Sequence, residues 1–160
     1  MKKTAFAGGL LIDGTGAAPV ADSMVLVENE KITYAGVKKE IPGDFEIVDI
    51  TGKTLMPGII DAHLHFSGNL TENDTDWVME DNLQKAVVAV QQAHECLEAG
   101  LTTVGEISRL GIHIRNMIDA GVMTGPRIVA TGPGFCSTAG HGDSHNVSIE
   151  LNKPANKKSS

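Results

Sequence analysis

The sequence is poor in cysteine, in aromatic residues and in basic residues. Of its 160 residues only two are cysteines, Cys96 and Cys136, and they form no CxxC pair. A disulfide framework is therefore excluded, and a reducing cytoplasm is the expected location. The 13 Lys and Arg residues against 20 Asp and Glu give a net charge of −7, which disfavours a nucleic-acid or anionic-membrane partner. No run approaches the roughly 18 apolar residues of a membrane span, and Asp13 interrupts the signal-like amino-terminal stretch.

Residues 1–56 predict a small β unit. The segment 23–37, SMVLVENEKITYAGV, contains two β-rich runs joined by a polar turn, which is typical of a hairpin. The segment 45–57, FEIVDITGKTLMP, predicts a further strand, a turn at Gly52 and a last strand that ends at Pro57. No residue pattern in this unit indicates a reactive site.

After Pro57 the pattern changes to alternating strands and helices. We predict strands at GIIDAHL, at 101–107 and at 126–132, with helices over 83–97 and 109–121 between them. Such alternation is typical of parallel βαβ units, with both helices on one face of the sheet. The spacing predicts that the inward faces are Leu83, Ala86, Val87, Val90, His94 and Leu97 in the first helix, and Leu110, Ile114, Met117 and Ile118 in the second.

The helix ends also carry signals. Asp81 is a plausible N-cap of the first helix, and Gly100 and Gly121 are expected to stop the two helices. The segment PGFCSTAGHGDSHN that follows the third strand is a Gly- and His-rich loop, and the tail NKPANKKSS is polar.

The most informative motif is the pair His63 and His65 in PGIIDAHLHF. Side chains two apart on a strand point to the same face, about 6–7 Å apart. Both imidazoles can therefore converge on one metal ion, at the carboxyl end of a strand, where parallel α/β folds build their sites. The alternative is two unrelated surface or core histidines, and spacing alone does not decide between them.

The segment from Pro57 to His65 resembles the opening strand of the amidohydrolase superfamily of metal-dependent hydrolases. The preceding LIDGTGAAP and VLVENEKITYAG resemble the small β-sandwich that flanks the barrel in that superfamily. AGLTTV, GVMTGPRIVATG and TAGHGDS resemble its imidazolonepropionase-like and Xaa-Pro or Xaa-Arg dipeptidase branch.

The resemblance implies an α/β fold: the amino-terminal part of a TIM-like (β/α)8 barrel, preceded by part of a small composite β-sandwich. On this interpretation residues 1–56 are the sandwich segment, 57–148 are the first three βα units, and 149–160 are a polar tail. It also implies one or two divalent metal ions, most simply Zn2+, with His63 and His65 as ligands and His141 in contact with a small-molecule substrate. Metal-activated water then attacks an amide or amidine carbon, and a late aspartate moves the proton to the leaving nitrogen.

The length departs from this pattern. A barrel of this type needs about 250 residues, so we expect the chain to represent the amino-terminal third of such an enzyme and to be inactive alone. The family's later lysine, histidines and aspartate would lie in barrel strands that we do not find in this sequence. Lys153, Lys157 and Lys158 are poor candidates for the bridging lysine, because they lie in the polar tail. The open edge of a three-stranded sheet predicts self-association. A non-catalytic remnant that binds metal weakly is the alternative, and a β-sandwich interaction module ranks last.

Several other side chains are secondary candidates. His145 and Asp143 follow the third strand together with His141, and Cys136 lies in the same loop. Glu106, at the end of the second strand, is either a partner of a ligand histidine or half of a salt bridge. Asp61 is expected on the face of His63, His94 in packing, and His113 on a helix surface.

Overall fold

The computed structural model describes residues 2–66 and 81–132, together with positions 137, 140 and 148. The chain divides into two compact units, Met1–Pro57 and Gly58–Ser160. Within the described residues no helix is long and apolar enough to cross a membrane.

The first unit consists of short strands. A four-stranded sheet has the order β4-β3-β1-β5, in which only the β1–β5 pair is parallel, and β2 and β6 form a separate parallel pair. Its core contains Ala5, Ala7, Met24 and Leu26. The strands are β1 (Lys3–Ala7), β2 (Leu10–Leu11), β3 (Ser23–Glu28), β4 (Lys31–Val37), β5 (Glu46–Asp49) and β6 (Thr54–Leu55).

The predicted hairpin is confirmed as β3 and β4, which pair antiparallel. Its two turn residues, Asn29 and Glu30, have φ values of 48° and 67°, the left-handed conformation at both positions that matches the twist of hairpin strands. The predicted turn at Gly52 is also confirmed, with φ 76°. The last strand is shorter than predicted and ends at Leu55 rather than at Pro57, consistent with the missing N–H of proline.

The described part of the second unit contains a parallel three-stranded sheet, β7-β8-β9, and a described helix lies in each of its two crossovers. The predicted alternation of strands and helices is therefore confirmed. The two helices contact each other, and they pack on β8 and β9. The elements are β7 (Ile59–Leu64), α1 (Asn82–Glu98), β8 (Leu101–Glu106), α2 (Arg109–Asp119) and β9 (Arg127–Ala130).

The helix ends follow the predicted signals. The Asp81 carboxylate accepts a hydrogen bond from the Leu83 N–H at 2.7 Å, and Gly100 and Gly121 adopt left-handed φ values of 86° and 70° just after the helices. A further cap, which the sequence did not predict, is Ser108, whose hydroxyl accepts from the Leu110 N–H at 3.2 Å.

The predicted inward face of α1 is wrong. Leu83, Val87 and Val90 are exposed, and the buried positions are instead Lys85, Ala89, Ala93 and Cys96. Ala89 and Ala93 are completely buried, because side chains this small let the helix lie close to its neighbours. Both sets of residues have helical spacing, and the set that contains the small residues Ala89 and Ala93 faces the core.

Two further packing predictions are corrected in the same way. His94 does not pack; its ring is exposed, and Nε2 lies 3.7 Å from a carboxylate oxygen of Glu98. Met117 of α2 is also exposed, whereas Ile114 is buried. The core of this unit contains Phe66, Ala89, Ala93, Cys96, Val104, Ile114 and Ile128.

Candidate metal centre

The histidine pair lies at the carboxyl end of β7, next to an irregularity in the sheet. Asp61 pairs with Val104 and Leu64 pairs with Glu106. Between these two pairs β7 therefore contains one residue more than β8. We refer to this shift in register as the bulge of β7; β-bulges often re-aim side chains next to sites. An opposite shift lies between Ile59 and Ile60. A Cβ on Gly105 would lie 2.5 Å from the Ala62 carbonyl oxygen, so only glycine permits the close approach of the two strands here.

The rings of His63 and His65 converge. Their Nε2 atoms are 3.2 Å apart, and their planes meet at 80° with centroids 5.0 Å apart. Both residues are exposed, so an ion or solvent can reach the two nitrogen atoms.

The protonation of His65 follows from its second contact. Its Nδ1 lies 2.7 Å from the carbonyl oxygen of Ile107, and because a carbonyl oxygen only accepts, Nδ1 carries the proton. In the neutral ring Nε2 therefore carries the lone pair, on the side that faces His63. A backbone carbonyl on the distal ring nitrogen is a typical arrangement for a metal-ligating histidine.

The spacing of the nitrogen atoms fits a tetrahedral ion. Two ligands bound at ~2.0–2.1 Å to one tetrahedral zinc lie about 3.3 Å apart, and the observed separation is 3.2 Å. The same distance also suits an N–H···N hydrogen bond between the rings. The pair therefore suits a shared ion when metal is bound and a ring-to-ring hydrogen bond when it is not.

Glu106 fastens the segment that carries His65 to the end of β8. The side chain is completely buried, and its two carboxylate oxygens accept from the N–H groups of Phe66 at 2.8 Å and Ser108 at 3.1 Å. Phe66 is itself almost fully buried in the core. Of the two roles predicted for Glu106, the described contacts favour support of a histidine over a salt bridge, although through the backbone rather than through a ring.

Asp61 contacts His63, but not its ring. One carboxylate oxygen of Asp61 accepts from the His63 backbone N–H at 3.0 Å. The bulge falls between Asp61 and Leu64, the stretch that contains His63, so the simple alternation that predicted a shared face does not apply. Burial, followed by the negative charges of Asp61 and Glu95, raises the pKa of the Cys96 thiol in α1.

Of the candidates not yet discussed, His113 lies within the described residues and the others lie outside them. His113 is exposed on α2, as predicted. Across residues 2–66 and 81–132 the structure brings together no group of three His, Cys, Asp or Glu side chains that could hold a metal. The positions outside the described residues are Cys136, His141, Asp143, His145, Lys153, Lys157 and Lys158.

Sequence reasoning missed the groups that hold the pair in place, which are the Ile107 carbonyl, the Phe66 amide, Ser108 and Gly111. A Cβ on Gly111 would overlap the Glu106 carboxylate, so this glycine makes room for it. The one available signal was the helix start: a serine N-cap, with an acidic residue two positions before it and a glycine three positions after it.

A parallel βαβ sheet with ligand-type side chains at a strand's carboxyl end defines the class of α/β proteins that build their sites at that edge. The chain belongs to the amidohydrolase family, whose sequence model matches residues 54–157. That family comprises hydrolases of amide and dipeptide type, which generally use divalent metal ions.

Individual relatives agree with this assignment. The chain is 29% identical to the ochratoxinase of Aspergillus niger over 148 residues, which is 89% of this chain and 30% of that protein. It is 31% identical to the imidazolonepropionase of Streptomyces coelicolor over 91 residues, which is 52% of this chain and 23% of that protein. Among solved structures, a Xaa-Pro dipeptidase with bound methionine superimposes with a TM-score of 0.82 at 27% identity, covering 93% of this chain and 38% of the dipeptidase.

The chain thus spans about a third of the length of the ochratoxinase and of the dipeptidase, and about a quarter of the imidazolonepropionase. The predicted relationship to amidohydrolases, including the dipeptidase branch, is confirmed. The α/β fold is confirmed as well, as part of the fold that these relatives share.

Proposed function

We propose that this chain forms the opening segment of a hydrolase that cleaves C–N bonds of small molecules, either cyclic amides of the imidazolone type or dipeptides. The observation that carries the proposal is the pair of Nε2 atoms 3.2 Å apart at the carboxyl end of β7. Family membership and the dipeptidase-like fold support the reaction class.

His63 and His65 are the proposed ligands of a divalent ion, with Zn2+ as the first choice. Such an ion lowers the pKa of water toward neutrality and polarises a bound carbonyl group. The chain's own contribution is to hold the two nitrogen atoms in place. His65 is fixed by its Nδ1–H donation to the Ile107 carbonyl, and His63 is fixed through the Asp61 bond to its backbone.

Substrate contact and proton transfer lie beyond the described residues. By resemblance we assign substrate contact to His141, and proton delivery to a late-barrel aspartate of the family. We also retain the division into a β-sandwich segment (1–56), three barrel βα units (57–148) and a polar tail (149–160), with a cytoplasmic location.

We further propose that these 160 residues do not hydrolyse substrates without additional ligands. Catalytic zinc sites normally have three protein ligands and one open position, whereas the described residues bring together two imidazoles and no third group. The same observation favours the alternative function, a non-catalytic chain that binds metal weakly.

The sheet of the second unit also suits self-association. Among the described residues β7 and β9 are the two edge strands of this sheet, and an unpaired strand edge can pair with another chain. Ile60 of β7 and Val129 of β9 are also 70% and 62% exposed. Sedimentation of wild-type protein against Ile60→Lys tests this; a monomer at all concentrations in both would refute it.

The metal proposal is tested by titrating the metal-free chain with Zn2+ in competition with a chromophoric chelator. We expect His63→Ala and His65→Ala each to weaken binding at least tenfold, while His94→Ala and His113→Ala, which alter exposed helix histidines, leave it unchanged. Equal affinities in all five proteins would refute the ligand assignment. Hydrolysis of dipeptides by the Zn2+-loaded chain would refute the proposed inactivity.

A further inference from the structure

We infer that Glu106 is a positioning residue for His65: its buried carboxylate fixes the backbone on both sides of the contact between the His65 ring and the Ile107 carbonyl. This inference rests on the proposed metal site. It concerns how the ligand is aimed, and Glu106 itself contacts neither ring nitrogen in the described structure.

The contacts of the carboxylate carry the argument. Its two oxygens accept from Phe66 N–H and Ser108 N–H, at 2.8 Å and 3.1 Å. Phe66 directly follows His65, and Ser108 directly follows Ile107. One carboxylate therefore ties together the two backbone segments that carry the donor and the acceptor of the 2.7 Å ring-to-carbonyl bond.

Further contacts tie the same segments together. The Ile107 N–H donates to the Leu64 carbonyl at 2.9 Å, and the Ser108 hydroxyl lies 3.4 Å from the Phe66 carbonyl oxygen. The Thr131 N–H donates to the Glu106 carbonyl at 3.1 Å, which links the end of β9 to the same point. The carboxylate is the charged member of this network, and hydrogen bonds to an ionised acceptor are the stronger ones.

The space around the carboxylate is matched to it. Glu106 is completely buried, and a charge in that environment is tolerated only when its oxygens are well hydrogen-bonded. Gly111 lies where any Cβ would overlap the carboxylate. The first turn of α2 thus leaves room for the Glu106 carboxylate, which accepts hydrogen bonds from the residues that follow His65 and Ile107.

Glu106→Gln is the sharpest perturbation, because the side chain keeps its shape. A carboxamide has one acceptor oxygen and an NH2 donor, so one of the two backbone amides meets a donor instead of an acceptor. We expect the separation of the two segments to change, and the Nδ1–H form of His65 to lose population to the Nε2–H form that free histidine prefers in water.

The test is carried out on the full 160-residue chain without metal, by long-range 1H–15N NMR correlation of the imidazole rings at a pH where His65 is neutral. The wild type is expected in the Nδ1–H form, and Glu106→Gln is expected to shift His65 toward the Nε2–H form. Zn2+ affinity is then expected to fall about 10- to 100-fold, the usual effect of removing a group that orients a ligand.

A matched control separates positioning from general destabilisation. Val104→Ala truncates a completely buried residue on the same strand, so it weakens the core but keeps the carboxylate. We expect it to leave both the His65 tautomer and the Zn2+ affinity unchanged. If Val104→Ala shifts the tautomer as much as Glu106→Gln does, the positioning role is refuted.

Two other outcomes also overturn the inference. The first is that the Glu106→Gln chain folds and its His65 keeps the wild-type tautomer. The second is that His65 of the wild-type chain is already in the Nε2–H form, which is measured without any variant. Failure of the metal proposal is seen separately, as unchanged Zn2+ affinity in His65→Ala. The metal-free tautomer measurement then still decides the role of Glu106.

Discussion

Gly111→Ala reverses the usual expectation for a glycine inside a helix. Glycine in a helix interior normally costs about 0.5–1 kcal/mol relative to alanine, so the substitution should stabilise α2. Here the added Cβ would overlap the Glu106 carboxylate, and that side chain has to leave the position in which it accepts from Phe66 and Ser108.

The size of the effect follows from the bonds that are lost. Each hydrogen bond to a charged group contributes about 1.5–3 kcal/mol, and Glu106 makes two. After subtracting the helix gain of about 1 kcal/mol, we expect Gly111→Ala to lower the free energy of unfolding by about 2–5 kcal/mol.

The assay is urea unfolding followed by circular dichroism, with the midpoint expected to fall by roughly 1–2 M. Gly43→Ala is the control, because Gly43 has an ordinary φ and no atom lies within 4 Å of the point that an added Cβ would occupy; it should be neutral or stabilising by up to about 1 kcal/mol. A Gly111→Ala chain as stable as the wild type would refute the account of the Glu106 contacts.

Three further predictions concern other parts of the chain. Glu30→Gly should stabilise the first unit by up to about 1 kcal/mol in urea unfolding, because Glu30 has a left-handed φ of 67° that only glycine adopts without strain; a destabilised variant would contradict this. Ala93→Leu should lower the free energy of unfolding by about 1–3 kcal/mol, because it overpacks a completely buried position. Val87→Leu, at an exposed position of the same helix, should change it by less than about 0.5 kcal/mol. Equal losses in the two variants would contradict the observed assignment of buried and exposed faces of α1. Hydrogen bonds from the Thr51 hydroxyl and N–H hold the pKa of Asp49 below its ordinary value of 3.8, so Asp49 stabilises the fold fully above that pH and loses this effect as the pH falls below it; the difference in melting temperature between wild type and Asp49→Asn should therefore shrink on acidification, and a constant difference would contradict the assignment.

Much of the fold follows from local sequence signals. Alternating strand and helix patterns, the Asp81 cap and the stops at Gly100 and Gly121 predict the order of the elements in the second unit. The polar turn at Asn29 and Glu30 predicts the hairpin. These signals are local because caps and turns depend on hydrogen bonds between residues only a few positions apart.

The features that escaped prediction depend on contacts between distant residues. The inward face of α1 was misassigned because hydrophobicity alone predicts that Val87 is buried. The helix instead buries Ala89 and Ala93, whose small side chains allow it to lie close to its neighbours. The bulge in β7 depends on the match between two strands about 40 residues apart in sequence, and a single strand's pattern does not show it.

The candidate site likewise has a part that the sequence predicts and a part that depends on contacts between distant residues. The two histidines are visible as a motif, because a spacing of two residues places both side chains on one face of a regular strand. Their supports are not visible, since the Glu106 bond to Phe66 and the His65 bond to Ile107 each join residues about 40 positions apart. A buried glutamate that satisfies backbone amides has no sequence pattern of its own.

The most direct test of the central claim is X-ray absorption spectroscopy of the Zn2+-loaded chain, which counts imidazole ligands at the metal. We expect two histidine nitrogen atoms at about 2.0–2.1 Å in the wild type and in His94→Ala, and one in His63→Ala or His65→Ala. An unchanged imidazole count in both of the latter variants would contradict the assignment of His63 and His65 as metal ligands.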